Sequence, residues 1–116
     1  MESNIQKRLV GAVEEVSFRV GGKAYPVQAR IDTGAKMSCI DTRLAAEMGV
    51  GLAVAVKKIV SSHGRSTRPV IKAKVVLQGV ELESEFTIID RSHMKFPVLI
   101  GRNILEKGFI VDPSRH

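Results

Sequence analysis

Hydrophobic and polar residues alternate along most of this chain, the pattern of strands with one face in a core and the other in water. Over 9–20, Val and Phe recur among polar neighbours, and Gly21 and Gly22 then offer the positive backbone angles of a tight turn. A second strand is predicted over 24–31, with Val27, Ala29 and Ile31 on one face, so the pair forms a hairpin that delivers Asp32 at its end. Residues 41–48 have helical spacing: Leu44, Ala45 and Met48 share a face, Asp41 or Thr42 can cap the start, and Gly49 stops it. Strands resume over 52–60 and 69–77, and the polar stretch 61–68 between them reads as the tip of a long, mobile hairpin. After a turn at Gln78 and Gly79, residues 80–89 alternate, with Val80, Leu82, Ser84, Phe86 and Ile88 set against Glu81, Glu83 and Glu85. A charged turn over 90–93 leads to a short apolar run at 96–100, which fits a buried strand. A short helix over 102–107 and a last strand over 109–111 complete the series. The expected fold is all-β: a small closed or partly closed barrel with one or two short helices.

Composition narrows the class. With 116 residues, 44% hydrophobic and 26% charged, the chain is read as one globular domain over 1–116. The net charge of +6 is spread along the sequence without a block of like charges, and there is no Trp and a single Tyr. A small basic barrel that grips nucleic acid would show clustered cations and stacking aromatics, so no nucleic-acid partner is expected. No apolar run approaches the ~20 residues that span a bilayer. The lone Cys39 excludes an intrachain disulfide and fits a reducing compartment, so a cytoplasmic location without membrane attachment is expected. Cys39 has no neighbouring histidine to act as its base, which favours a buried structural thiol over a nucleophile.

Two segments carry chemistry. At Asp32-Thr33-Gly34-Ala35 an apolar strand ends in a carboxylate; a hydroxyl residue can fix the loop, and a glycine lets the backbone turn sharply and approach a ligand. The tripeptide alone favours an ordinary Asp-initiated turn. The second segment, Leu99-Ile100-Gly101-Arg102-Asn103-Ile104-Leu105, sets aliphatics before Gly-Arg-Asn and a short helix. In this order, with a hairpin over about 54–76 between them, the two segments resemble the retropepsin family of aspartic proteases, which includes the retroviral enzymes. The run Arg91-Ser92-His93-Met94-Lys95-Phe96-Pro97-Val98-Leu99-Ile100-Gly101-Arg102 is similar to a prokaryotic retropepsin-like group usually labelled ATP-dependent zinc proteases. Some members of that group accompany ligases that add glutamate to ribosomal proteins.

The resemblance implies an acid-protease barrel and an aspartic endopeptidase acting on a peptide or protein substrate. Two carboxylates sharing one proton are needed for that chemistry, one as base toward water and one as acid toward the scissile carbonyl. Asp-Thr-Gly occurs here once, so a homodimer must bring Asp32 and the partner subunit's Asp32 together. Asp32, Thr33 and Gly34 are then the catalytic loop, while Ala35, Ser62, His63, Gly64, Arg65 and Ile100 are expected to line the substrate site, with the hairpin as a flap. Retroviral proteases carry an acidic residue where this chain has Lys36, so Arg102 must find another carboxylate or a backbone carbonyl. Neither word of the zinc label has a basis in the residues: His63, His93 and His116 are far apart, no His-Glu-x-x-His helix occurs, and no phosphate-binding Gly-Lys-Ser/Thr loop is present. No metal or other cofactor is expected. The competing reading is a catalytically inactive barrel of the same fold that binds peptides or proteins without cutting them.

Overall fold

The computed structural model describes residues 6–50 and 64–116 in full and residues 55–61 as backbone. Its elements in chain order are β1 (Arg8–Val10), β2 (Val13–Val20), β3 (Lys23–Ile31), β4 (Ser38–Asp41), α1 (Thr42–Met48), β5 (Ala55–Ser61), β6 (Gly64–Leu77), β7 (Val80–Ile89), β8 (Val98–Ile100), α2 (Arg102–Leu105) and β9 (Phe109–Val111). Among the described residues, seven strands form one sheet in the order β2-β3-β8-β4-β7-β6-β5, and β2 also pairs with β6. That extra pairing closes β2, β3, β8, β4, β7 and β6 into a six-stranded barrel, the architecture the alternation predicts.

The hairpins arise where turn chemistry interrupts alternation. Gln78 and Gly79 both take positive φ, 50° and 76°, between the paired residues Leu77 and Val80. Two consecutive left-handed residues make the turn whose twist suits antiparallel strands, and glycine in the second place spares one of the two steric penalties. Inward residues of β2, β6 and β7 meet in the core: Val16, Phe18, Ile71, Val75, Leu77 and Phe86 are buried. Phe18 and Phe86 touch edge to face, with centroids 5.2 Å apart. On the outer face the register sets Lys74 opposite Glu83 and Lys72 opposite Glu85, favourable cross-strand pairs.

Three features depart from the sequence expectation. The single strand predicted over 9–20 is broken at Gly11 and Ala12 into β1 and β2, which belong to different sheets. The carbonyl of Arg115 crosses there, accepting from Ala12 N–H at 2.7 Å, and a β-carbon on Gly11 would lie 2.6 Å from it. β1 instead runs parallel to β9. Second, most of the polar stretch read as a hairpin tip is strand: Ser61 pairs with Gly64, and residues 64–68 belong to β6. Ser62, His63 and Val54 lie outside the described residues. Third, β4 follows directly on the Asp-Thr-Gly loop, where no strand was expected. It lies between β7, to which it is parallel, and β8, to which it is antiparallel. α1 starts as predicted, with the Asp41 carboxylate accepting from Arg43 N–H.

Candidate active site

The parallel pairing of β3 with β8 positions the loop. Ile31 pairs with Ile100, and Asp32 N–H donates to the Ile100 carbonyl at 2.9 Å, so the backbone of Asp32 is still tied to the barrel. Beyond it the chain turns on itself: Gly34 N–H donates to Asp32 Oδ1 at 2.8 Å, and Ala35 N–H to the Asp32 carbonyl at 3.3 Å. A β-carbon at Gly34 would sit 3.2 Å from that same Oδ1, tight enough to disturb the turn. The Asp32 side chain is half-buried, and Thr33 and Gly34 are exposed. One carboxylate is therefore presented to solvent from a rigid strand end.

The loop is braced from behind by the start of α2. Arg102 N–H donates to the Ala35 carbonyl at 2.8 Å and Asn103 N–H to the Lys36 carbonyl at 3.1 Å. These are first-turn N–H groups that the helix itself leaves without partners. The Arg102 guanidinium reaches the Thr33 carbonyl at 2.9 Å, so it uses a backbone carbonyl where the retroviral pattern would supply an acid at position 36. Gly101 permits this approach: a β-carbon there would lie 2.8 Å from both the Ala35 and Met37 carbonyl oxygens.

Asn103 and Ser38 complete the brace. Asn103 Oδ1 accepts from Ser38 N–H at 2.9 Å and from Ser38 Oγ at 2.8 Å. Its Nδ2 donates to the Glu85 carbonyl at 2.9 Å and to Ser84 Oγ at 3.2 Å. Ser38 Oγ in turn accepts from Gly101 N–H at 2.9 Å. Neither residue received a role from the sequence; Asn103 stood only as the third letter of Gly-Arg-Asn, and a buried serine carries no pattern of its own.

The sequence-predicted site residues fall into separate groups. Asp32, Thr33, Gly34 and Ala35 form the loop. The Ile100 side chain is fully buried beneath it, and its carbonyl holds Asp32. Gly64 and Arg65 lie on the hairpin, where residues 64–68 border a hollow of about 520 Å³ with Ile88, Ile89 and His93. Cys39, on β4, is buried, and burial pushes its thiol above the ordinary value; the charges of Arg91 and Arg68 pull the other way, and Asp32 adds to the rise. No three His, Cys, Asp or Glu side chains converge as a metal site among the described residues, and no helix there is long and apolar enough to cross a membrane.

Comparison with known proteins gives a consistent picture. Residues 46–116 match the family described as RimB-like, retropepsin-like aspartic endopeptidase RimB; the matched stretch contains the Gly-Arg-Asn brace and begins after Asp32. DNA damage-inducible protein 1 of Saccharomyces cerevisiae is 31% identical over 87 residues, 72% of this chain, but the chain spans only 20% of that protein. Among solved structures, Legionella pneumophila Lpg0085, described as of unknown function, aligns with a TM-score of 0.63 at 20% identity, covering 97% of this chain and 95% of that one. EIAV protease complexed with the inhibitor HBY-793 aligns with a TM-score of 0.62 at 17% identity, covering 91% and 92%. The simian foamy virus protease aligns at 0.58 and 18% identity over 81% and 91%. At these identities the structures speak for the acid-protease fold alone.

Proposed function

Since the chain belongs to the RimB-like family of retropepsin-like aspartic endopeptidases, we propose that it hydrolyses peptide bonds as a homodimer, with Asp32 and the partner subunit's Asp32 as the catalytic pair. One carboxylate takes a proton from water as its oxygen attacks the scissile carbonyl. The other, protonated, donates to the carbonyl oxygen, and the resulting gem-diol collapses with cleavage of the C–N bond and protonation of the leaving amine. Thr33 and Gly34 hold the geometry, and the β5–β6 hairpin acts as the flap that closes over an extended peptide.

The observation that carries this reading is the braced Asp32 loop. A half-buried carboxylate is held by Gly34 N–H, and its loop is clamped by Arg102 and Asn103 from a separate element. Such a device serves chemistry that fails when reacting groups shift by about an ångström. A peptide-binding barrel without activity has no need of it. No cofactor enters the reaction.

The test is cleavage of a mixed peptide library by purified protein between about pH 4 and pH 8, beside Asp32→Asn. Cleavage that the substitution abolishes, and that a statine-type inhibitor blocks, supports the aspartic mechanism. Cleavage that survives in Asp32→Asn refutes it, and a folded wild type that binds peptides without cutting them makes the chain a binding module.

A further inference from the structure

Arg91 is buried, only 8% exposed, an unusual position for an arginine. Its contacts close one loop on itself and tie that loop to one strand. Arg91 Nε donates to the Phe96 carbonyl at 2.9 Å, closing the segment that joins β7 to β8, and Nη1 contacts Cys39 Sγ on β4 at 3.5 Å. The Arg91 N–H donates to Asp41 Oδ1 at 2.6 Å, and the Arg91 carbonyl accepts from Met94 N–H at 2.8 Å. At the far end of the same segment, the Pro97 carbonyl accepts from Asp41 N–H at 2.8 Å. Residues 92–95 are exposed, with Met94 at 50%, yet the segment is fastened at both ends and through its middle.

The fastened segment borders the hollow of about 520 Å³, which His93 lines together with residues 64–68 of the hairpin and with Ile88 and Ile89. Two residues beyond Val98, the same chain offers the Ile100 carbonyl to Asp32. Cys39, against which the guanidinium rests, pairs with Leu99, the residue before the Ile100 whose carbonyl holds Asp32, so the latch and the carboxylate's loop share one stretch of β8. We propose that Arg91 is a positioning residue: its guanidinium latches residues 91–96 onto β4 and thereby sets the wall of the substrate cleft facing the hairpin. The role assigned to the wall rests on the endopeptidase reading above; the latch does not. A planar fork suits this task, because its nitrogens reach a carbonyl and a sulfur in different fixed directions, whereas the three donors of a lysine ammonium share one nitrogen at the end of a flexible stem.

The experiment compares wild type, Arg91→Lys and Arg91→Met in three measurements. With a peptide that the wild type cleaves, both variants are expected to raise KM by about tenfold and to leave kcat within about twofold, since the wall binds substrate but does not touch the reacting atoms. Alkylation of native Cys39 by iodoacetamide, corrected for the smaller thiolate fraction that loss of the guanidinium charge leaves, should accelerate by about tenfold once the guanidinium no longer covers the sulfur. In unmodified wild type, the Arg91 Nε–H, which donates to the Phe96 carbonyl, should exchange hydrogen far more slowly than the Nε–H of the exposed Arg43. A fall in kcat at constant KM, an unchanged corrected alkylation rate in folded variants, or a wild-type Arg91 Nε–H that exchanges as fast as that of Arg43 would each overturn the proposal. If neither variant folds, the wild-type exchange decides. A wild type that cleaves nothing counts against the endopeptidase reading, and the latch then stands or falls on alkylation and exchange.

Discussion

Replacing Asn103 with Ala removes the residue that joins α2, β4 and β7 behind the Asp32 loop. The amide makes four hydrogen bonds, two accepted from Ser38 and two donated to Ser84 Oγ and the Glu85 carbonyl. Their loss is not uniform in cost. Ser38 is fully buried, so its N–H is left without a partner or water, at about 1–3 kcal/mol. The Glu85 carbonyl and the two hydroxyls can reorient or reach solvent, adding on the order of 1 kcal/mol together. The sum is about 3 kcal/mol, a large part of the ~5–15 kcal/mol that stabilises a domain of this size. With an unfolding entropy of ~2.1 cal/mol/K per residue, a chain of this length should melt about 12 °C lower. Ser84→Ala is the control: it removes only the longest of the four bonds and should cost less than about 1 kcal/mol. Both are measured by thermal and urea unfolding at one fixed protein concentration, because association would otherwise shift the midpoint. A loss below about 1 kcal/mol for Asn103→Ala, or equal losses for the two variants, would refute the assignment of Asn103 as the brace.

Two further outcomes follow from the same geometry. Gly101→Ala should be more damaging to activity than to the barrel: its β-carbon would meet the backbone carbonyls of Ala35 and Met37 at 2.8 Å, and backbone cannot swing aside as a side chain can. Peptide cleavage is expected to fall at least about tenfold while far-ultraviolet dichroism stays native; undiminished cleavage would contradict the close approach. Cys39 should resist alkylation at pH 8 in the folded protein and react readily in urea, because burial raises its thiol value. The sign for stability follows. A group whose folded value lies above its unfolded one, here about 8.5, contributes fully below that pH and loses the contribution as pH climbs through the raised value. Wild type should therefore lose stability more steeply than Cys39→Ala above about pH 8.5, and identical profiles would contradict it.

The barrel was legible because β2, β3 and β7 each have one face in the core and one in water, which prints as alternation. The candidate site was legible as two short motifs, Asp32-Thr33-Gly34 and Gly101-Arg102-Asn103, although which atoms join them was not. β4 escaped because all four of its residues are buried, two of them polar. Ser38 and Asp41 are accommodated by bonds to Asn103, Gly101 and Arg91, partners remote in sequence, so neither alternation nor an apolar run marks the strand. The polar stretch 61–68 misled for the opposite reason: residues 64–67, on the hairpin that extends beyond the closed barrel, are exposed one after another, so pairing proceeds without an apolar face. The break at Gly11 depends on the carbonyl of Arg115, from the other end of the chain.

A mixing experiment tests the proposed catalytic pair most directly. Wild-type protein at fixed concentration is equilibrated with increasing amounts of Asp32→Asn, and peptide cleavage is followed. If each active site takes one aspartate from each of two subunits, an equal amount of the variant should reduce activity to about half and a ninefold excess to about a tenth, as wild-type chains are drawn into mixed dimers. Activity that stays constant however much variant is added would mean that each chain works alone, and the account of a dimeric aspartic endopeptidase would be wrong.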